Sequence, residues 1–85
     1  MSAPSETAPR VVLYGRAGCH LCDVARETVR RVCAQTGAGW SEVDVDTDPE
    51  LRARYTDLVP VVVVDGHHHD HWRIEEQRLR AALGG

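Results

Sequence analysis

Two cysteines three positions apart, Cys19 and Cys22, are the residues of this chain best suited to chemistry. They follow a short apolar run, Val11 to Tyr14, and a glycine-bearing turn, Gly15 to Gly18, where helical spacing begins. A Cys-x-x-Cys between a strand and a helix is the layout of a dithiol that cycles with a disulfide. A helix start offers unpaired N–H groups and the positive end of the macrodipole, and both stabilise a thiolate. Spacing of three sets Cys22 one turn on, facing Cys19. Cys19 is therefore expected to be the nucleophile and Cys22 the resolving thiol. Thiols at helix starts titrate at roughly 3.5–7.5, against ~8.5 for free cysteine. Nucleophilicity falls with pKa, so much of the gain in attack is offset, while a stabilised thiolate also leaves faster. His20, between the two, is either a source of positive charge and protons or a plain exposed helix-start residue.

The elements that must hold this pair follow from periodicity. Val11 to Tyr14 is the first strand. From His20 to about Ala34 the apolar residues fall at Leu21, Val24, Ala25, Val29 and Val32, which is helical spacing, with Gly37 and Gly39 as the stop. Trp40 to Val45 alternates as a second strand. Asp48 then Pro49 pairs a capping side chain with proline at the first helical position, predicting a helix to about Thr56. Leu58 to Val64 is a continuous apolar run around Pro60, expected to be a strand buried on both faces. Asp65-Gly66 is the turn pair of a two-residue hairpin, with His67 to about Arg73 returning as an edge strand. Ile74 to Leu83 is the last helix, carrying Ile74, Leu79, Ala82 and Leu83 as its apolar members, with Gly84 as its stop. Residues 1–9, small, polar and proline-bearing, are expected to be a disordered tail before a single domain over 10–85.

The 85 residues suit one small domain with a modest core. A net charge of −3 and the lack of any Lys/Arg block argue against nucleic acid or a membrane as partner. No apolar run reaches membrane-spanning length, and the start lacks the basic and apolar regions of a signal peptide. An odd count of three cysteines fits a reduced compartment. The expectation is a cytoplasmic monomer.

The order strand, helix, strand, helix, strand, strand, helix, with Cys19-His20-Leu21-Cys22, Val59-Pro60 and the Asp65-Gly66 hairpin, resembles the α/β thioredoxin fold in its shortest form. Within that fold the chain is most similar to the glutaredoxin-like family of short bacterial proteins, over residues 11 to 83. The resemblance implies a four-stranded mixed sheet flanked by three helices, a cis Pro60, and a Val59 whose backbone pairs with an extended thiol substrate. It implies that Arg16 is the basic residue that holds a glutathione carboxylate. It further implies a thiol–disulfide oxidoreductase acting on a protein disulfide or a mixed disulfide with a low-molecular-weight thiol. No bound cofactor is called for, and electrons would come from glutathione or another small thiol. Two positions depart from the family pattern. Asp70-His71 stands where a Gly-Gly pair is usual, setting a carboxylate where one of glutathione's would dock, and His20-Leu21 replaces the common Pro-Tyr.

Other readings compete at particular residues. Cys19 and Cys22 are half a zinc site, but Cys33 lies eleven residues along the same helix, roughly 16 Å away at helical rise. Cys33 is expected to be a half-buried small hydrophobe. His67, His69 and His71 would share one strand face, a surface metal site or simply a polar edge that discourages sheet association. Asp44, Asp46 and Asp48 open like a calcium loop, but Pro49 and Tyr55 stand where glycine and glutamate are needed. Two function classes therefore remain beside the enzyme: a non-catalytic metal-binding module, and a redox-inert adaptor on the same fold.

Overall fold

The computed structural model describes residues 9–84. The tail expected over residues 1–9 lies outside these, apart from Pro9. The chain forms β1 (Val11–Gly15), α1 (His20–Thr36), β2 (Trp40–Asp44), a 3-10 turn (Val45–Thr47), α2 (Pro49–Tyr55), β3 (Val61–Val64), β4 (His67–His71) and α3 (Glu76–Ala82). The sheet order is β2-β1-β3-β4, with β1 parallel to β2 and the other pairs antiparallel. This is the α/β fold that the element order implied: a four-stranded mixed sheet flanked by three helices.

Alternation in β1 turns Val11 and Leu13 to one face, where they meet Ala25, Val29, Val32 and Cys33 of α1 and Leu79 of α3. Val62 and Val64 of β3 join them, and Leu83, just past α3, closes the cluster. Burying each such Val or Leu side chain contributes about 1.5–3 kcal/mol. On the other face Tyr14 stacks on Tyr55 of α2, ring centroids 4.9 Å apart. The run Val61–Val64 is buried at three of its four positions, as a strand covered on both faces should be.

The helix caps follow the local sequence. Asp48 accepts the Glu50 N–H at 2.8 Å, Pro49 opens α2, and Gly37 closes α1 in the left-handed region at φ 81°. Asp65 and Gly66, at φ 51° and 84°, form the hairpin turn.

Several expectations are corrected. The buried stripe of α1 is Cys22, Ala25, Thr28, Val29, Val32 and Cys33, whereas Leu21 and Val24 are 39% and 51% exposed. The cysteines belong to the core-facing stripe and rotate it away from Leu21 and Val24. Cys33 is fully rather than half buried. β2 stops at Asp44, and Val45 turns inward from the 3-10 turn. β3 begins at Val61, because the N–H groups of Leu58 and Val59 both donate to Tyr55 O and Pro60 has none for a ladder. β4 ends at His71 and α3 begins at Glu76, separated by a turn through Trp72 and Arg73; Ala82 is exposed. A bulge opposite Val62 and Val63 breaks the alternation of β4, so His67, His69 and His71 do not share a face.

Candidate active site

Register brings three connections to one end of the sheet. Tyr14 near the end of β1 pairs with Val61 at the start of β3, and Val61 pairs with His71 at the end of β4. The loop leading to Cys19, the segment before β3 and the turn after β4 therefore meet there. The Val59–Pro60 peptide is cis, as the resemblance implied. Pro60 is buried, and its carbonyl accepts the Trp72 N–H at 2.9 Å, binding the second connection to the third.

Cys19 is the N-cap of α1. Its extended backbone (φ −101°, ψ 114°) turns the side chain back over the helix start, and its Sγ accepts the Cys22 N–H at 3.2 Å. Sulfur thus takes the place that a Ser or Asp oxygen fills at most helix starts. Cys19 is partly exposed, whereas Cys22 is shielded from solvent. Burial, and after it a hydrogen bond to Cys19, push the Cys22 thiol up to about 11. The two sulfurs are therefore unlike: one reachable, one buried and protonated. Cys33 is a third free thiol, buried in the core and pushed up by that burial.

Arg16 uses four of its five N–H donors within the protein. Nε and Nη2 reach the two Asp46 oxygens at 3.2 Å each, Nη2 reaches Thr56 Oγ1 at 2.9 Å, and Nη1 reaches Thr56 O at 3.4 Å. The bonds to Asp46 hold its guanidinium firmly charged. Thr56 caps α2 three residues before Val59, so Arg16 ties the cysteine loop to the segment that carries Pro60. Val59 has its N–H committed to Tyr55 O at 3.1 Å; its carbonyl has no partner among the described residues. His20 is exposed at the first turn of α1.

Sequence reasoning passed over three contributors. Asp46 and Thr56 hold Arg16; the Asp44-Asp46-Asp48 spacing drew notice only as a failed calcium loop. Trp72 falls within the run expected as an edge strand, His67 to about Arg73. It adopts φ 65°, a true outlier for a bulky residue, at a strain of about 1–2 kcal/mol. Two hydrogen bonds hold it there: its N–H to Pro60 O and its Nε1–H to Asp57 O at 3.0 Å. Its ring, 51% exposed, walls a groove of about 290 Å³ with His20, Leu21 and Val24. An exposed aromatic between polar neighbours was the one available signal.

Asp70 accepts the His71 N–H at 2.9 Å and lies 3.3 Å from Arg78 Nη1. His68 Nε2 and His71 Nδ1 share a hydrogen bond at 3.0 Å. Among the described residues no three His, Cys, Asp or Glu side chains gather in a way that could hold a metal ion. No described helix is long and apolar enough to cross a membrane.

These features define the class of protein: a thioredoxin-like fold that carries a partly exposed cysteine capping a helix, a buried one a turn later and a cis proline before β3. The chain belongs to the glutaredoxin-like domain family (DUF836), whose model matches residues 10–84. It is similar to an uncharacterized protein of Mycobacterium tuberculosis, 38% identical over 80 residues, covering 88% of this chain and 82% of that one. A structural-genomics protein of X. campestris, solved by X-ray crystallography, is 37% identical with a TM-score of 0.68, covering 87% of this chain and 95% of that one. A glutaredoxin from Archaeoglobus fulgidus shares the fold at a TM-score of 0.62 and 19% identity, covering 100% of this chain and 98% of that one.

Proposed function

We propose that the protein is a monomeric, cytoplasmic thiol–disulfide oxidoreductase that reduces protein disulfides or mixed disulfides of low-molecular-weight thiols. The observation that carries this reading is the inequality of the two sulfurs. Cys19 is open to a substrate and holds a backbone N–H on its Sγ, while Cys22 waits beneath it as a buried thiol.

The chemistry balances on the chain's own groups. The Cys19 thiolate attacks one sulfur of a substrate disulfide, forming a mixed disulfide and releasing the other half as a thiolate that takes up a proton. Cys22 loses its proton and attacks the Cys19 sulfur, forming the Cys19–Cys22 disulfide and releasing the second half. Two electrons have left the dithiol and two substrate thiols have formed. Two equivalents of a small thiol of the glutathione class then restore the dithiol and become its disulfide. Before it attacks, Cys22 is held protonated by burial, so the mixed disulfide needs a proton acceptor. His20, two residues before Cys22 and exposed at the first turn of α1, is assigned that role. Arg16 serves by fixing the loop against the Pro60 segment, and Val59 offers a substrate its carbonyl.

Incubating a Cys22→Ser variant with bis(2-hydroxyethyl) disulfide tests the reading. It should accumulate one mixed disulfide on Cys19, detected by intact mass, whereas the wild type should turn over to the internal disulfide. An adduct that forms at the same rate in Cys19→Ser would remove Cys19 from the reaction and sink the proposal.

A further inference from the structure

The groove beside the dithiol is unlike the rest of the surface. Leu21 and Val24 of α1 face Trp72 and Ile74 across it, with His20 and Arg73 at its rim. Leu21, Val24 and Trp72 are the large apolar side chains that this fold leaves exposed among the described residues. They fall on one side of the nucleophile rather than singly over the surface, the pattern of an interaction patch. Trp72 does not reach this place passively. Its left-handed backbone is held by the bonds to Pro60 O and Asp57 O, and such outliers gather where a side chain must be aimed.

The charge around the groove has one sign. Arg73 makes no ion pair among the described residues, His20 adds a second basic group, and no carboxylate lines the walls. The acidic side chains nearest in sequence are turned elsewhere: Asp23 to Arg26 at 2.9 Å, Asp70 to Arg78 at 3.3 Å, and Glu75 to Arg78 at 3.9 Å. On a chain of net charge −3 this is a local reversal.

We propose that this groove docks an extended peptide segment of the substrate, one that carries an apolar side chain and a carboxylate beside its cysteine. This rests on the oxidoreductase reading for the cysteine but not for the docking itself. Apolar burial against Trp72, Leu21 and Val24 supplies affinity, and Arg73 selects the charge. Side chains must carry much of the recognition, because the Val59 N–H is already bonded to Tyr55 O and only the Val59 carbonyl is left to pair with a peptide strand. The preferred substrate is therefore a protein disulfide of defined flanking sequence.

Two synthetic octapeptides test this, each with a central cysteine flanked by leucines and by either glutamates or lysines. As homodimeric disulfides they serve as substrates; with serine for cysteine they serve as ligands for a Cys19→Ser, Cys22→Ser protein in calorimetry. The wild type should reduce the glutamate peptide with a kcat/KM at least ~10-fold above that of the lysine peptide, and binding should favour it likewise. Arg73→Glu should invert the preference, and Val24→Ser, which removes apolar surface without adding charge, should weaken both peptides. Reduction of both peptides at equal rates, with bis(2-hydroxyethyl) disulfide also reduced, overturns the docking site and leaves the oxidoreductase. Charge-selective binding with no reduction of any disulfide overturns the oxidoreductase and leaves the docking site.

Discussion

Gly15 and Cys22 share one space: a Cβ built on Gly15 would lie 3.2 Å from the Cys22 Sγ and 3.3 Å from its Cβ. The missing side chain at the end of β1 is what lets the second cysteine sink beneath the first. Gly15→Ala must therefore move either the strand end or the thiol. Overpacking of this kind costs about 1–3 kcal/mol. We expect that loss in urea denaturation of the reduced protein, with Cys22 pushed toward solvent and labelled faster by iodoacetamide. A variant with the stability and labelling of the wild type would show that the contact is slack.

The three thiols should separate by access. Cys19 is partly exposed, whereas Cys22 and Cys33 are buried. Native reduced protein should take up one alkyl group quickly, at Cys19, and the other two only through local opening, at least ~10-fold more slowly. Peptide mapping identifies the labelled site. Cys22 reacting first would reverse the proposed roles.

Alkali should destabilise the reduced protein. The folded Cys22 thiol is raised to about 11, above its value in the unfolded chain, so its contribution is complete below about pH 8.5. It is lost as pH rises toward 11, at up to about 1.4 kcal/mol per pH unit. The oxidised protein has no Cys22 thiol and should lack this part of the loss. Urea midpoints of both forms between pH 8 and 11 check the difference.

Arg16 should matter for order more than for charge. Arg16→Ala frees Asp46 and Thr56, and hydrogen exchange should quicken severalfold in residues 16–19 and 56–60 together. A rise confined to residues 16–19 would mean that the two segments are not coupled through this side chain.

His69 Nε2 is buried with no hydrogen-bond partner among the described residues, and burial depresses the basicity of this imidazole. A histidine whose folded pKa is lowered stabilises fully above its unfolded value near ~6.5 and loses that contribution as pH falls below it. His69→Leu should therefore add about 1 kcal/mol and flatten the loss of thermal stability between pH 6.5 and 5. An unchanged slope would place the acid response elsewhere.

How much of this was legible in the sequence depends on whether the signal was local. The Asp48-Pro49 start, the Gly37 stop and the Asp65-Gly66 turn rest on the conformational preferences of one or two residues, and each falls where expected. The apolar face of α1 was misjudged because Cys22 was weighed only as chemistry and Cys33, although read as a small hydrophobe, was not counted in the stripe. The bulge that breaks the histidine alternation lies in the pairing of β4 with β3, which periodicity within one strand does not encode. Cys19 and Cys22 were legible as a pair. Their unequal burial was not, because it depends on Gly15 from another element. The bonds of Arg16 and the pose of Trp72 likewise depend on partners 30, 40 and 15 residues away in sequence.

The Cys22 N–H bond to Cys19 Sγ also ties electron affinity to helix stability. The sulfur that caps α1 is also the one that the proposed chemistry draws into a disulfide. Folding and reduction then form a closed thermodynamic cycle: whatever the helix start gains from the free Cys19 sulfur as its cap favours the dithiol over the disulfide. Each 1.4 kcal/mol by which folding favours one redox form over the other corresponds to about 30 mV in the two-electron potential. In the proposed oxidoreductase a helix of seventeen residues thereby takes part in setting the poise of a single pair of sulfurs.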